Sequence, residues 1–412
     1  MPWKECLVSD ERLRFVLECL REEDSMAAIC RRHGICRRVG YKWLARYKEH
    51  GRDGLADQSR APHAHPNQVE AELERRILSV RAEHPTWGPR KLLAALARAM
   101  RDGGEDPAAD LPAASTVGQM LRRAGLVVPP RRRHRSAWAP PGPAVAAATA
   151  GGAGPNRLWC ADFKGWFRTG DGSRCDPLTI SDAFSRYLLR CRIVERLSTL
   201  EARGLFEAAF REFGLPEAIR TDNGSPFATT GPLGLSRLSV WWLRLGVAHR
   251  RIDPGRPEQN GSHERMHLTL KREAATPPAR SPRSQQARFG AWVTEYNEQR
   301  PHEGLPGMAT PASLYAPSPR AYPARLAEVE YPADCLRRRI DTGKFNWHDR
   351  KVFLSHALEG ETIGLRPLAA DAAEAAAADR YWRVCFASLE LGVFDANRGR
   401  LLRPRERRHL LA

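Results

Sequence analysis

Apolar residues recur at helical spacing through the first fifty positions of the chain. The first such run predicts a helix from Glu11 to Leu20, and its apolar positions are Leu13, Val16, Leu17 and Leu20. A second helix is predicted from about Ser25, whose side chain can cap the N-terminus. Gly34 interrupts the pattern, and glycine permits a sharp turn. Residues 1–58 are therefore predicted to form a helix-turn-helix unit.

The helix that follows Gly34 carries most of the basic residues of this unit. Small Ala27 and Ala28 allow a close helix approach, and the predicted core positions are Ile35, Val39 and Leu44. We expect the opposite side to enter the major groove of DNA and to expose Arg37, Arg38, Tyr41, Lys42 and Arg46. An ordinary helical hairpin with a solvated basic face is the alternative.

A second helical unit is predicted over residues 68–128. Its helices cover residues 71–83, 88–100 and 115–125, with Ser115 as the cap of the third and Gly125 as its end. One face of the third helix carries Gln119, Arg122 and Arg123. This spacing favours a second DNA-reading helix over a spacer bundle. The basic Arg131, Arg132 and Arg133 then begin a linker, 129–155, that can follow phosphates without folding.

From Asn156 the pattern changes to alternating strands and helices, which we assign to one domain, residues 156–320. Strands are predicted at 158–167, 177–183, 187–194, 218–221 and 248–252, and helices at 198–213, 235–245, 258–273 and 289–296. Three leading strands, a helix and then alternation describe a mixed sheet flanked by helices. A ribonuclease-H-like topology fits this order. The predicted fold class is therefore a multidomain α+β protein.

The remaining residues, 321–412, show short strand patterns at 336–340, 350–354, 361–365, 381–386 and 389–394. We expect a small β-barrel here. The alanine-rich stretch 369–378 interrupts it as a helix or surface insertion. The basic tail from Arg398 to Arg408 is expected to be a disordered arm.

Charge favours nucleic acid as the partner. The chain has 66 Lys and Arg residues against 48 Asp and Glu, a formal net charge of +18, and Arg far exceeds Lys. Arginine favours planar, bidentate contacts to phosphate. The nine cysteines are scattered, which is typical of a reducing compartment, and no spacing predicts a zinc site. With no signal peptide and no predicted membrane span, we expect a cytoplasmic, nucleoid-associated protein.

Three acidic residues lie in separate but recognisable settings. Asp162 and Asp222 each close a short apolar run that predicts a strand, and Glu264 opens a helix. A fold that brings these elements together makes a carboxylate cluster, which a divalent cation stabilises because it prefers oxygen ligands. Taken singly, each aspartate could be an ordinary acid beside a turn. Asp182, in a turn between two predicted strands, is more simply structural.

Four motifs occur in order: Trp159-Cys-Ala-Asp-Phe-Lys164, Arg220-Thr-Asp-Asn-Gly-Ser-Pro-Phe227, residues 254–267, and Tyr296-Asn-Glu-Gln-Arg-Pro-His302. With the helix-turn-helix pattern they resemble bacterial insertion-element transposases with a retroviral-integrase-type catalytic core. The resemblance covers roughly residues 25–314. It implies that Asp162, Asp222 and Glu264 form a DDE triad that holds Mg²⁺ or Mn²⁺, as two ions. The implied reaction is strand cleavage followed by strand transfer.

Two glutamates compete for the third position of the triad. Glu258 stands at the spacing after the second aspartate that is common in integrase cores, and Glu264 lies six residues beyond it. We choose Glu264 because residues 229–237 look like a short insertion, and because Glu258 suits a helix N-terminus. Lys271 falls on the same helix face as Glu264 and could hold a phosphate beside the metal.

The resemblance implies double-stranded DNA partners, namely element ends and target DNA, and a homo-oligomer that holds two ends together. Two other functions remain open at this point. One is a DNA-binding regulator with an inactive integrase-like core, and the other is a metal-dependent nuclease without strand transfer.

Overall fold

The computed structural model describes residues 8–57, 68–107, 111–127, 154–229, 234–253, 259, 261–368, 380–403 and 406. The chain divides into two compact units, residues 1–70 and 71–412. Arg131, Arg132, Arg133 and Glu258 lie outside the described residues, as does the alanine-rich stretch. No helix among the described residues is long and apolar enough to cross a lipid bilayer.

The N-terminal unit contains three α-helices and a short 3₁₀ turn. They are α1 (Val8–Leu20), α2 (Met26–Arg32), α3 (Arg37–His50) and the turn Gly51–Leu55. Ser25 caps α2 as predicted, because its side chain accepts a hydrogen bond from the Ala28 N–H at 3.4 Å. Gly34 has a φ of 64°, a left-handed conformation that suits glycine at the turn. The predicted helix-turn-helix order is present.

The core of this unit differs from the predicted one. Its buried members are Phe15, Val16, Ile29, Cys30, Trp43 and Leu55. The three residues predicted as core, Ile35, Val39 and Leu44, are half-buried around it. Helices α2 and α3 approach so closely at Gly40 that an added Cβ would lie 2.6 Å from the Cys30 Sγ. This contact turns α3 so that Trp43 points inward.

The second unit begins with three further helices, α4 (Ala71–Glu83), α5 (Pro89–Asp102) and α6 (Ala114–Arg123). Ser115 is not the cap of α6, contrary to the prediction. The helix begins one residue earlier, at Ala114, and its N-cap residue Ala113 makes no side-chain cap hydrogen bond. Gly125, with a φ of 69°, follows the helix end as expected.

A mixed sheet follows, flanked by helices. Its strands are β1 (Leu158–Phe163), β2 (Phe167–Arg168), β3 (Arg174–Asp182), β4 (Leu188–Val194), β5 (Ala218–Thr221) and β6 (Ala248–Arg251). Strand β1 pairs antiparallel with β3 and parallel with β5, β4 pairs with β3, and β6 runs parallel to β5. Three antiparallel strands are thus extended by two parallel ones, as the sequence predicted.

The helices of this region are α7 (Thr199–Phe213), α8 (Arg237–Arg244), α9 (Gly261–Glu273), α10 (Pro282–Thr294) and α11 (Pro311–Leu314). Helix α10 begins seven residues before the predicted start. Ser281 and Ser284 form a capping box there, and Pro282 occupies the first turn. The helix continues into a π-helical turn, Glu295–Gln299. Trp241 and Trp242 of α8 are both core residues.

The C-terminal strands are β7 (Leu336–Arg339), β8 (Lys344–Trp347), β9 (Arg350–Phe353), β10 (Thr362–Pro367), β11 (Tyr381–Phe386), β12 (Leu389–Asp395) and β13 (Arg400–Leu401). They form an open sheet in the order β13-β12-β11-β10-β7 and a separate β8-β9 hairpin. The predicted β-barrel is therefore not confirmed. Instead of closing on itself, this region packs its apolar residues against Leu235, Val240 and Leu243 beside and within α8.

The start of the basic tail is folded back onto this sheet and is not a free arm in its described part. Arg400 lies in β13 and pairs with Glu406 at 2.7 Å. Arg398 also contacts Glu406, at 3.3 Å. The two arginines of the predicted disordered arm are thus paired with a local carboxylate.

Candidate active site

Asp162 lies on β1, and Asp222 directly follows β5, the parallel strand beside β1. In the register of β1 and β5, Leu158 is opposite Ala218 and Cys160 is opposite Arg220. Two residues further along, the same register brings Asp162 opposite Asp222. Neighbouring strands are about 4.8 Å apart. The sheet therefore brings these two carboxylates together, although they are far apart in the sequence.

The environment of Asp162 makes its ionised form unfavourable. Burial, together with the nearby negative charges of Asp222 and Glu264, raises the pKa of Asp162 to about 7. The effect of Glu264 is the weaker of the two. The charges of Asp222 and Glu264 therefore both act on the Asp162 carboxylate. The two aspartates are the closer pair.

Asp222 is held by the turn that follows β5. Its Oδ1 accepts a hydrogen bond from the Gly224 N–H at 3.1 Å. An added Cβ at Gly224 would lie 3.0 Å from the Asp222 Oδ2, so any other residue there would have to displace this carboxylate by a few tenths of an ångström. Glycine at this position therefore leaves the Asp222 carboxylate in place.

Hydrogen bonds across the sheet fix the start of the helix that carries Glu264. Arg220 of β5 donates to the Gln259 carbonyl at 2.8 Å. The Gln259 side chain in turn accepts from the Asp253 N–H at 3.0 Å and donates to its carboxylate at 2.8 Å. Helix α9 thus begins at a defined place relative to Asp222. Glu264 itself is exposed in its first turn.

Two histidines dock α9 onto β3 directly beside Asp162. Thr179 is the antiparallel partner of Asp162, and its hydroxyl donates to the Asp162 carbonyl at 3.1 Å. The same hydroxyl oxygen lies 2.8 Å from the His263 Nε2 and 2.7 Å from the His267 Nε2. Because the hydroxyl has one hydrogen, both imidazoles must donate to it through Nε2.

These imidazoles are neutral. Burial lowers the pKa of His267 to about 4 and that of His263 well below its ordinary value. His263 completes its hydrogen bonds through Nδ1, which lies 2.9 Å from the Ser181 hydroxyl. The sequence analysis missed this network. The four-residue spacing of the two histidines on α9 was a signal for it, but their partners on β3 were not identifiable from local pattern.

The three acids offer a donor set that suits a hard divalent cation. Among the residues that the structure describes, however, no group of three or more His, Cys, Asp or Glu side chains lies close enough to hold a metal ion together. The close pair Asp162 and Asp222 fits such an ion, since its mutual repulsion is what a cation would relieve.

Positive and aromatic residues lie on the elements that carry Glu264 and follow Asp162. Lys271 is exposed on α9. The pKa of Lys164 is lowered mainly by the burial of Lys164 itself, and the positive charge of Lys271 lowers it further. Trp166 follows on the same loop with 57% of its surface exposed. The guanidinium carbons of Arg174 and Arg168 lie 5.2 Å and 5.8 Å from its ring centre. The sequence analysis did not single out Lys164 or Trp166.

The residues predicted to contact DNA are mostly exposed. In the N-terminal unit these are Arg37, Arg38, Tyr41 and Lys42. Arg46 is half-buried, with its guanidinium 5.2 Å from the Trp43 ring centre. In the second unit, Gln119, Arg122 and Arg123 are exposed on α6, although Arg123 lies 3.4 Å from Glu74.

Asp182 has the structural role expected of it. Its carboxylate is buried and accepts hydrogen bonds from the Asn156 N–H at 2.8 Å and the Ser185 N–H at 2.7 Å. It therefore fixes the turn between β3 and β4.

Comparison with known proteins matches both parts of this architecture to known domains. Family models described as "Integrase core domain" match residues 152–257 and 245–311. A "Helix-turn-helix domain" matches residues 11–63, and a "Homeodomain-like domain" matches residues 39–121. Asp162 and Asp222 fall within the first integrase match, and Glu264 falls within the second.

Two relatives come from bacterial insertion elements. The uncharacterized 31.7 kDa protein of IS407 from Burkholderia multivorans is 27% identical over 256 residues, 60% of this chain and 80% of that protein. The uncharacterized 39.2 kDa protein of IS476 from Xanthomonas euvesicatoria is 28% identical over 163 residues, 39% of this chain and 45% of that protein. Among solved structures, a chain of the simian T-cell lymphotropic virus intasome is 16% identical, with a TM-score of 0.35, over 76% of this chain and 94% of its own.

Proposed function

We propose how this protein, an insertion-element transposase with an integrase-type core and helix-turn-helix domains, acts on DNA. It binds the ends of its element and cuts and joins DNA strands at a site formed by Asp162, Asp222 and Glu264. The observation that carries this proposal is the strand register that brings Asp162 beside Asp222, and it is supported by the pKa of Asp162, which burial and then the charges of Asp222 and Glu264 raise. The matches of residues 152–257 and 245–311 to integrase core models, which include all three acids, support the same proposal.

These carboxylates would hold two Mg²⁺ or Mn²⁺ ions. When bound, such ions supply an activated water or 3′-hydroxyl and stabilise the charge on the leaving oxygen. Asp162 and Asp222 bind from the sheet, and Glu264 binds from α9. Thr179, His263 and His267 are positioning residues, because they hold α9 against the strand that carries Asp162. No side chain needs to form a covalent bond to DNA.

Positive residues of the chain would orient the DNA strand. Lys271, on the helix that carries Glu264, and Lys164, two residues after Asp162, would bind phosphates on either side of the scissile bond. Trp166 offers an exposed ring on which an unstacked base can lie, and aromatic stacking of this kind tolerates any base. Arg168 and Arg174 would bind the neighbouring phosphates. The DNA would thus run from the acidic pair along the loop after β1.

Recognition of the element ends is assigned to the helical units. The exposed residues of α3, Arg37, Arg38, Tyr41 and Lys42, would read one segment of the end, with Arg46 beside them. Gln119, Arg122 and Arg123 of α6 would read another, and the basic Arg131, Arg132 and Arg133 would follow phosphates. Because transposition joins two ends, a homo-oligomer on paired ends and target DNA is the simplest assembly.

The test uses labelled element ends with Mg²⁺ or Mn²⁺. Asp162→Asn, Asp222→Asn and Glu264→Gln should each abolish nicking and joining while end binding is retained. Asp349→Asn, at an exposed position in the β8-β9 turn, is the matched control and should keep full activity. Loss of activity in Glu258→Gln with retention in Glu264→Gln would show that the third acid is misassigned.

The wild-type protein itself distinguishes the remaining functions. Nicking together with joining supports a transposase. Nicking without joining would indicate a metal-dependent nuclease, and binding without nicking would indicate a DNA-binding regulator with an inactive core.

A further inference from the structure

The second helical unit is docked onto the catalytic core through the turn between α4 and α5. His84 Nδ1 lies 2.9 Å from the Glu295 Oε1, and Thr86 donates a hydrogen bond to the Glu273 carboxylate. Arg98 of α5 donates to the Gln299 carbonyl at 3.3 Å. These contacts join residues nearly 200 positions apart. The sequence pattern alone predicts only a separate helical unit on a flexible linker.

The core side of this contact is a buried and fully hydrogen-bonded charge pair. Glu273 accepts from the Arg300 Nη1 at 2.7 Å and from the Trp292 indole N–H at 2.8 Å. The side chains of Arg300 and Glu273 are only 6% and 11% exposed. Trp87 of the helical unit is buried with its ring centre 5.9 Å from the Arg300 guanidinium. Displacement of the helical unit would leave this pair intact, but it would remove the Thr86 hydroxyl from Glu273 and the Trp87 ring from Arg300.

Glu273 is also the last residue of α9, the helix that carries Glu264. Nine residues separate the two, which corresponds to about 13 Å along a helix. On the other side of the contact, α6 packs against α4 and α5 through its buried Val117, Met120 and Leu121. One continuous path of packed elements therefore leads from the exposed face of α6 to the acidic site.

We propose that this docking determines which phosphodiester of the element end is cut. With α6 fixed relative to Glu264, the DNA sequence bound by Gln119 and Arg122 lies at a set distance from the acids. The inference rests on the proposed function, since it requires α6 to bind the element end. His84, Thr86, Glu273 and Glu295 are positioning residues in this scheme, and none of them contacts the reacting atoms.

The opposing arrangement is a helical unit that acts only through its tether. In that case the cut position would depend on the length of the linker 129–155 and would not depend on the docking contacts. The two arrangements make opposite predictions for variants of the docking contacts and for a variant with a longer linker, so the experiment can distinguish them.

The first variant is the double substitution His84→Ala with Thr86→Ala. Both changes lie on the helical unit, so the buried pair of Glu273 and Arg300 stays intact. Glu295→Gln removes the contact with His84 from the core side. An effect in this variant cannot come from a folding defect of the helical unit. Glu72→Ala, at an exposed position on α4 away from the contact, is the control. A separate variant inserts six Gly and Ser residues after Gly142.

Cut positions are mapped at nucleotide resolution on labelled element ends, and end binding is measured in parallel by fluorescence anisotropy. We expect wild type, Glu72→Ala and the insertion variant to cut at one phosphodiester. The docking variants should bind the end as wild type does, yet spread their cuts over neighbouring positions or cut on the order of 10²-fold more slowly, because small misplacement has that effect.

Docking variants that cut at the wild-type position with the wild-type rate would overturn the inference, as would an insertion variant whose cut is displaced. A wild-type protein that binds ends and never cuts would instead contradict the proposed function, so the two failures are distinguishable.

Discussion

Asp162 should destabilise the metal-free protein whenever it is ionised. Its pKa of about 7 lies roughly three units above the ordinary value of 3.8, chiefly because of burial and the charge of Asp222. Each unit corresponds to about 1.4 kcal/mol, so the ionised carboxylate costs the native state about 4 kcal/mol above pH 7. Asp162→Asn removes the charge and preserves the shape of the side chain. The variant should therefore be more stable than wild type.

The sign of the pH dependence follows from the direction of the shift. Below pH 3.8 the carboxyl is protonated in both the folded and unfolded states, so its burial incurs no charge penalty. The penalty grows as the pH rises from about 4 to 7, where the unfolded chain is ionised and the native state resists ionisation. The gain from Asp162→Asn should thus be largest at pH 8 and less than half as large at pH 5.

Thermal unfolding in EDTA at both pH values measures this gain. At pH 8 the midpoint should rise by several degrees, up to roughly 10 °C for the full 4 kcal/mol. Added Mg²⁺ should raise the midpoint of wild type and leave Asp162→Asn unchanged, because the metal would relieve the same repulsion. Asp349→Asn serves as the control. A midpoint at pH 8 that is equal to or below that of wild type would refute the reasoning, as would an equal gain at both pH values.

Three further predictions concern packing, positioning and DNA contact. Gly40→Val should lower the stability of the N-terminal unit by about 1–3 kcal/mol, because the new side chain collides with the Cys30 Sγ. The unfolding transition of this unit measures the loss, and an unchanged transition would contradict the packing. Thr179→Val leaves the imidazole donors of α9 unpaired and should cost about 1–3 kcal/mol in thermal unfolding and slow cleavage. Thr269→Val, which removes an exposed hydroxyl of the same helix, should do neither. Trp166→Ala should weaken binding of an element end with unpaired bases by about 1–3 kcal/mol. If fluorescence anisotropy gives the same affinity for the variant and the wild type, no base stacks on Trp166.

Local patterns in the sequence identified most elements of the central sheet. Strand β5 has the predicted bounds, because Pro216 precedes this short segment and the Asp222-Asn-Gly turn follows it. The start of α10 was missed although Ser281, Pro282 and Ser284 are ordinary helix-start signals. The apolar residues from Phe289 onward cover only the second half of this helix, so their pattern does not mark where it begins.

Long-range packing accounts for what the sequence did not predict. Thr179 carries no motif, and its importance comes only from the register that places it opposite Asp162. The docking of His84 and Thr86 likewise depends on residues of α9 and the π-helical turn, which local periodicity does not connect. The predicted barrel failed for the same reason, because the C-terminal strands pack their apolar residues on α8.

The central claim is that Asp162, Asp222 and Glu264 share one divalent cation site. A crystal structure of the protein grown with Mn²⁺, with anomalous scattering used to locate the metal, tests it most directly. We expect anomalous peaks for the two proposed ions at the carboxylates of Asp162 and Asp222, with Glu264 as a further ligand. A peak held by other residues, or clear carboxylates with no metal between them at saturating Mn²⁺, would contradict it.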